Sequence, residues 1–352
     1  MFTSHPIGSE ALRILIIALT AFLVALGMTP LVLRFLRNIS AGKQIRTSES
    51  APIFSNLHRK KEGTPTMGGV IIWGTVLGLA ALFWVFGILF NGFFGHLNFI
   101  DRAQTYLPLA ALFFAAILGL IDDFLGVLKI GSKGGGLPVK GKLIIYTLLS
   151  MIGAWWFFIK LGFTQITVPF LGNFDIGFWY VPVFIFVIVG SAFSANETDG
   201  LDGLLGGVSL FAFGALTVVS FVLGRYNLAA MSSAVIGALL AFLWFNIYPA
   251  KFFMGDTGSM ALGITLGVIA ALTNTVVLLP LFAIILVIEA LSVIIQVISK
   301  KFFKRKVFIS APIHHHFEAS GWPESQVTMR FWIISVVCVG IGLALFFLGR
   351  IW

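Results

Sequence analysis

A single cysteine, Cys338, sits in an apolar stretch, so one chain can build neither a disulfide framework nor a thiolate metal site. Charge is almost as scarce. Only 11% of the 352 residues are Asp, Glu, Lys or Arg, and just 14 are acidic. No internal repeat of about 20–50 residues is present, which leaves out repeat architectures. No cleavable leader is expected either. The first apolar run, Ile14 to Leu36, is too long for a signal-peptide core, lacks a small-residue cleavage site and ends in Arg34 and Arg37, so it is expected to stay as an anchor.

What the chain does have is hydrocarbon. The hydrophobic fraction is 59%, with 37 Phe and 38 Gly, and the mean hydropathy is +1.02. A soluble core of this length does not need so much apolar surface, so the chain is expected to be an all-α polytopic membrane protein, a single integral-membrane domain over 1–352. Runs long enough to cross a bilayer cover about 12–36, 67–92, 106–125, 142–161, 178–196, 204–223, 229–247, 259–279, 280–299 and 330–349. That makes about ten helices, with only Pro280 and its neighbours separating the eighth from the ninth. Barrel strands would alternate in polarity, and these runs do not.

The net charge of +9 raises the question of nucleic acid. The cations fall instead in the loops between spans, so no nucleic-acid partner is expected. All but Arg13, Arg102, Lys160, Arg225 and Arg350 lie on one side, among them Lys43, Arg46, Arg59, Lys60, Lys61, Lys129, Lys133, Lys140 and Lys142. Positive-inside bias makes that side cytoplasmic and puts both termini outside. Asp122, Asp123, Glu197, Asp199, Asp202 and Asp256 fall on the same side at the ends of different spans. A transport path would place charge near the midplane, where only Glu289 is expected. The pattern predicts a cleft at the cytoplasmic surface.

Asn196-Glu197-Thr198-Asp199-Gly200-Leu201-Asp202-Gly203 stands between two apolar runs. Carboxylates against hydrocarbon cost several kcal/mol unless water, a cation or a partner charge meets them. A cation- and phosphate-handling loop accounts for them. Lys60-Lys61-Glu62-Gly63-Thr64-Pro65-Thr66-Met67-Gly68-Gly69 offers ammonium groups, hydroxyls and glycines to phosphate, and equally fits a positive-inside turn. Asp122-Asp123 ends the third span, where negative charge opposes the helix macrodipole. Lys129, Lys133, Lys140 and Lys142, interleaved with Gly131 and Gly134 to Gly136, suit anionic head groups or a diphosphate. Asp256 in Phe253-Met254-Gly255-Asp256-Thr257-Gly258-Ser259 reads as a metal ligand or as part of a helix cap. Ala311-Pro312-Ile313-His314-His315-His316-Phe317-Glu318 supplies donors to phosphate or sugar, and oxygen-rich surroundings elsewhere favour Mg²⁺ or Mn²⁺ over zinc.

Taken together, GTPTMGG at 63–69, TDGLDGL at 198–204, FMGDTGS at 253–259 and APIHHHFE at 311–318 resemble the polyprenyl-phosphate N-acetylhexosamine-1-phosphate transferase superfamily, in its muramoyl-pentapeptide branch. The resemblance spans about 34–349. It implies ten spans, periplasmic termini, a bacterial inner-membrane location, a homodimer and a Mg²⁺-dependent reaction. In that reaction undecaprenyl phosphate attacks UDP-MurNAc-pentapeptide, giving lipid I and UMP. It also implies roles by position. Asp256 would bind Mg²⁺, with Asp122 and Asp123 helping to hold the metal and orienting or activating the lipid phosphate. Asn196, Asp199, Asp202 and Phe253 would surround the nucleotide, with Gly200 and Leu201 at the uracil. Lys61, Thr66, Lys142, Asn246 and Gln296 would line the same cavity, and His315 and His316, in the segment that marks the branch, would join the aspartates as catalytic residues. Two positions depart from the pattern. Gly126 stands where the family has a lysine, with Lys129 the next cation along, and Glu197 replaces an apolar residue. A sister enzyme moving GlcNAc-1-phosphate and a transporter or flippase are the alternative readings.

Overall fold

The structure, a computed structural model, describes residues 6–39, 42, 61, 63–131 and 135–351. Lys43, Arg46, Arg59, Lys60, Glu62, Lys133 and Gly134 lie outside the described residues. The chain is a helical bundle. Its principal helices are α1 (Pro6–Asn38), α2 (Val70–Leu89), α3 (Tyr106–Val127), α4 (Val139–Trp155), α5 (Tyr180–Thr198), α6 (Leu204–Val222), α7 (Tyr226–Asn246), α8 (Asp256–Leu272), α9 (Ile284–Ile298) and α10 (Glu324–Ile351). Among the described residues, eight helices are long and apolar enough to cross a membrane, α4 and α5 counting with the short turns that extend them. The two exceptions are α8, at 17 residues, and α9, at 15.

Their shortness has a local cause. The expected eighth span ran to 279, but α8 stops at Leu272. Thr273 returns its hydroxyl to the Ile269 carbonyl at 2.9 Å, and Asn274 takes φ +53°, the left-handed conformation that asparagine tolerates best after glycine. A short turn of helix, Leu279–Phe282, precedes α9. The boundary is therefore a segment over 273–283 rather than a point at Pro280.

α8 need not meet lipid. Every residue from Thr257 to Leu272 is buried, and its glycines let neighbours close in. A Cβ on Gly263 would lie 2.6 Å from the Ser191 carbonyl of α5. Across the bundle α1 packs on α7, where a Cβ on Gly237 would lie 2.0 Å from the Ala18 carbonyl. Small residues at such crossings let backbones approach in a medium where the hydrophobic effect does not drive helices together. Large apolar side chains stand exposed on the helices, among them Phe186 and Trp244, as a lipid-facing surface requires.

Among the described residues, one hairpin breaks the helical pattern. β1 (Gln165–Val168) and β2 (Gly172–Asp175) form an antiparallel hairpin between α4 and α5, in register Gln165 to Asp175. Asn274 ties it to the α8–α9 connection by accepting the Thr167 N–H at 3.1 Å.

Candidate active site

At one end of the bundle, segments far apart in sequence meet through hydrogen bonds. The organising contact is between α3 and α8. Asp123 stands near the end of α3, where its charge is locally unfavourable. It faces the start of α8 and accepts the backbone N–H groups of Asp256 and Thr257, each at 3.0 Å. The first N–H groups of a helix have no partner within it and carry partial positive charge. The charge that α3 cannot use caps α8. Thr257 closes the contact by donating to the Ala116 carbonyl at 2.8 Å while accepting from the Trp73 indole at 3.0 Å. A Cβ on Gly119 would lie 2.3 Å from the Asp256 carbonyl, so only glycine allows this approach.

Asp256 is thereby aimed outward from the end of α8. One of its oxygens accepts from the Asn196 amide at 2.5 Å, and Asn196 also reaches the Ser259 hydroxyl at 3.2 Å. The other oxygen takes the ammonium of Lys142, from the first turn of α4. Lys142 also pairs with Asp122 at 2.9 Å. Asp122 is buried, and its remaining oxygen accepts the Leu137 N–H at 2.5 Å. A backbone turn brings Leu137 there. Gly136 has φ +81°, and a Cβ on it would press to 3.2 Å of the Asp122 carboxylate. Two carboxylates thus share one ammonium, leaving a local charge of about −1 in a partly dry setting where charge interactions are strengthened. Tyr146, one turn beyond Lys142, is buried on the same helix.

The loops around this centre hold one another. The 63–69 turn pairs with the segment before α8: the Phe253 N–H reaches the Pro65 carbonyl, and the Gly68 and Gly69 N–H groups reach the Phe253 and Met254 carbonyls, all at 2.8 Å. A Cβ on Gly69 would lie 2.3 Å from Gly258 Cα. The two glycines therefore serve close loop packing as well as any phosphate. Thr66 is buried beside Gly255, whose N–H goes to Asp199 at 3.1 Å. Asn246 joins the two acidic loops, accepting from the Gly203 N–H at 3.0 Å and donating to the Phe252 carbonyl at 2.8 Å. Lys61 pairs with Asp202 at 2.7 Å and lies 5.8 Å from the centre of the Phe253 ring. Leu201 is buried in the core.

The histidine segment divides. His314 is fully buried with its Nδ1 2.9 Å from Glu289, a carboxylate in the second turn of α9 that is also fully buried. Burial disfavours the charged imidazole, but the Glu289 carboxylate outweighs it and raises the His314 pKa above its ordinary 6.5. Its other nitrogen lies against Gly200, where a Cβ would approach it to 2.1 Å. His315 pairs with Glu318 at 2.7 Å, and His316 accepts the Ile309 N–H at 3.2 Å. Gln296 spends its amide on the 307–308 backbone, at 2.9–3.0 Å. Among the described residues, no hydrogen bond joins Gln296 or His316 to the aspartates. The sequence reading left out His314, Glu289 and Glu324 as working parts. A carboxylate inside a span and an acid heading one right after Pro323 were the available signals.

An apolar groove of about 570 Å³ opens between α4, α5 and α9, lined by Leu143, the residue after Lys142, with Thr147, Pro182, Phe186, Phe193 and Ile294, among others. A helix bundle that carries both a charged centre at one end and an apolar groove between its helices suits a molecule with a charged head and a hydrocarbon tail. Among the described residues, no three His, Cys, Asp or Glu side chains converge into an all-protein metal cage.

Comparison with known proteins agrees with this architecture. The family model for Glycosyl transferase family 4 matches residues 105–274, and phospho-N-acetylmuramoyl-pentapeptide-transferase signature 1 matches residues 61–72. The chain is 40% identical over 331 residues to the phospho-N-acetylmuramoyl-pentapeptide-transferase of Anoxybacillus flavithermus, covering 94% of this chain and 97% of the relative. The enzyme of the same name from Chloroflexus aggregans is 39% identical over 350 residues, 95% of this chain and 90% of the relative. That from Geobacillus thermodenitrificans is 38% identical over 339 residues, 94% and 97%. The signature falls on the turn that packs against the start of α8, and the longer match takes in α3 to α8, which carry all three aspartates of the centre. On this likeness, nearly end to end, the chain belongs to the phospho-N-acetylmuramoyl-pentapeptide-transferase family.

Proposed function

We propose that the chain transfers phospho-MurNAc-pentapeptide from UDP-MurNAc-pentapeptide to undecaprenyl phosphate, forming lipid I and releasing UMP, at the cytoplasmic face of the bacterial inner membrane. The observation that carries this reading is the Lys142 ammonium shared by Asp122 and Asp256, on the helix whose next residue, Leu143, lines an apolar groove. The groove suits an isoprenoid tail, and the charged centre suits the phosphate at its head. The donor, a hydrophilic nucleotide-sugar, reaches the same centre from the aqueous side.

The donor set also fits Mg²⁺, which takes one or two carboxylates and completes its shell with water and substrate phosphates. Asp256 and Asp122 would hold it. When bound, the ion supplies charge neutralisation to the diphosphate and to the departing UMP. The chain's own residues do the rest. Asp123 fixes the start of α8 and with it the direction of Asp256. Lys142 keeps the two carboxylates together and offers positive charge to the transferred phosphate. Asn196 restricts Asp256 to one rotamer. The acceptor phosphate oxygen forms the new bond to the β-phosphorus while the bond to the UMP oxygen breaks, and UMP leaves with that electron pair. Such a displacement needs alignment and charge, not a protein nucleophile. A homodimer belongs to the same reading and is checked by the mass of the detergent-solubilised particle.

The test is a release assay. Purified protein receives a short polyprenyl phosphate with either UDP-MurNAc-pentapeptide or UDP-GlcNAc, with and without Mg²⁺. UMP is expected only from the muramoyl donor and only with the ion. Release from UDP-GlcNAc instead would reassign the donor, and no release from either would remove the transferase reading.

A further inference from the structure

Lys61 and Lys142 each have two carboxylate partners. The first has Asp202 and Glu324, at 2.7 and 2.5 Å, and the second has Asp122 and Asp256. Tyr146, one turn beyond Lys142, is placed differently. It is 1% exposed, yet its hydroxyl makes no hydrogen bond among the described residues. The neighbouring hydroxyls of α4 are spent: Thr147 donates to the Leu143 carbonyl and Ser150 to the Thr147 carbonyl, each at 2.8 Å. Serine and threonine can turn back onto their own helix in this way. A tyrosine hydroxyl stands at the far edge of its ring and cannot. A buried O–H without an acceptor is costly, so this one calls for a partner that arrives from outside the chain.

The position of the ring says what that partner is. Positive-inside bias makes the start of α4 cytoplasmic, so the Tyr146 backbone lies about 6 Å deeper along the helix axis than that of Lys142. Tyr146, Ser150 and Ala154 form the buried stripe of this helix, and Lys142 heads it at the same spacing of four. Side chains on a helix lean toward its N-terminus, which carries the Tyr146 hydroxyl back toward the turn of Lys142. The charges of Asp256, Asp122 and Glu197 all act on it there. The phenol therefore approaches the centre from the bilayer side, opposite to the aqueous side from which a nucleotide-sugar arrives. The adjacent stripe of the same helix, Leu143 and Thr147, lines the apolar groove. What comes to the centre from that side is the head of a lipid. A neutral O–H suits an anionic oxygen on that head, because it donates without altering the charge that Lys142 balances.

We propose that Tyr146 is a further acceptor-binding residue: its O–H donates a hydrogen bond to a phosphate oxygen of the polyprenyl phosphate, with no proton transferred. This rests on the transferase reading, since that reading brings a lipid phosphate to the centre. The measurements are steady-state kinetics with acceptor and donor varied in turn, and the melting temperature of the full chain in detergent with and without a short polyprenyl phosphate, for wild type, Tyr146→Phe and Ser150→Ala. Phenylalanine keeps the ring and its packing and removes only the O–H. Tyr146→Phe is expected to raise the acceptor KM about tenfold, as for the loss of a hydrogen bond to a charged group, with the donor KM unchanged. Its melting temperature without lipid should match or exceed that of wild type, because no bond within the chain is lost. The rise in melting temperature that the lipid phosphate gives wild type should shrink. Ser150→Ala removes a buried hydroxyl that is already bonded and should leave the acceptor KM as it is. A lower melting temperature in Tyr146→Phe with the acceptor KM unchanged would make the hydroxyl a structural group held by a buried water and overturn the proposal. A rise confined to the donor KM would overturn it too. Absence of UMP release from wild type would instead take down the transferase reading beneath it.

Discussion

Asp123 caps the helix that carries Asp256, accepting the Asp256 N–H and the next one along at 3.0 Å each. The relationship separates two aspartates adjacent in sequence. Asp122 faces Lys142 and the charged centre, whereas Asp123 has both oxygens on backbone. Replacing Asp123 with Ala strands two N–H groups at the start of α8. The expected loss is about 1–2 kcal/mol of stability, the usual cost of deleting a helix cap, together with a fall in activity as Asp256 loses its aim. Thermal unfolding in detergent checks it. An unchanged melting temperature would mean that α8 is held by its other contacts.

Asp256→Asn tests the centre directly. Asparagine keeps the shape and the bond from Asn196, but removes the charge that pairs with Lys142. Turnover should drop by more than about tenfold, a barrier increase above ~1.4 kcal/mol, while the melting temperature stays near wild type. Titrating the residual activity with Mg²⁺ should show a raised requirement for the ion. A variant that keeps more than a tenth of the wild-type rate would take Asp256 out of the metal role.

How much of this was legible beforehand follows from the kind of force involved. Helix existence was legible because hydrocarbon leaves the backbone no alternative, and a run of twenty apolar residues declares itself. The convergence of acidic residues on one end was legible from positive-inside bias. Pairings were not. Nothing in Asp122-Asp123 tells which of the two caps a helix more than a hundred residues away, because that depends on how α3 and α8 pack through Gly119. His314 was passed over in favour of its neighbours for the same reason. Only the fold shows that Glu289 comes to meet it. The hairpin at 165–175 was hidden by brevity, since four-residue strands leave little periodicity to read.

Gly126 is the departure most open to test. A Cβ there meets nothing within 4 Å, and the residue lies on α3 one turn after Asp122. Gly126→Lys should therefore fold, with activity unchanged or improved, because a lysine on that helix adds positive charge near the phosphate-handling end. Donor KM and kcat measured together decide it. A severe loss of turnover would show that this chain has rebuilt its pocket around the missing side chain.

The His314–Glu289 pair gives stability a pH dependence. The carboxylate of Glu289, joined by Glu318 and Glu197, holds the His314 pKa above 6.5 against the opposing effect of burial. A raised histidine stabilises the folded state in full below the unfolded pKa, and that contribution fades as pH climbs through the folded one. Melting temperature should accordingly decline as pH rises above about 6.5, the ordinary histidine value from which His314 is raised. Glu289→Gln, which cannot draw the proton to His314, should flatten that decline. Parallel profiles for the two proteins would contradict the pairing as a source of the slope.

Gly200 has no need of left-handed backbone, so its lack of a side chain must have a steric reason, and His314 provides it. A Cβ at position 200 would come within 2.1 Å of the imidazole Nε2, inside any tolerable contact. Gly200→Ala should therefore cost about 1–3 kcal/mol, as overpacking does, and should weaken nucleotide binding by displacing the loop between Asp199 and Asp202. Steric cause can be told from intrinsic preference by a double-mutant cycle. In a His314→Ala background the space is free, so the same Gly200→Ala change should cost much less, giving a coupling well above the ~0.5 kcal/mol scatter of independent sites. His314→Ala alone is itself destabilising, because it leaves Glu289 buried without its partner, but the cycle subtracts that. Strict additivity of the two substitutions would place the demand for glycine in the loop rather than in the histidine packed against it.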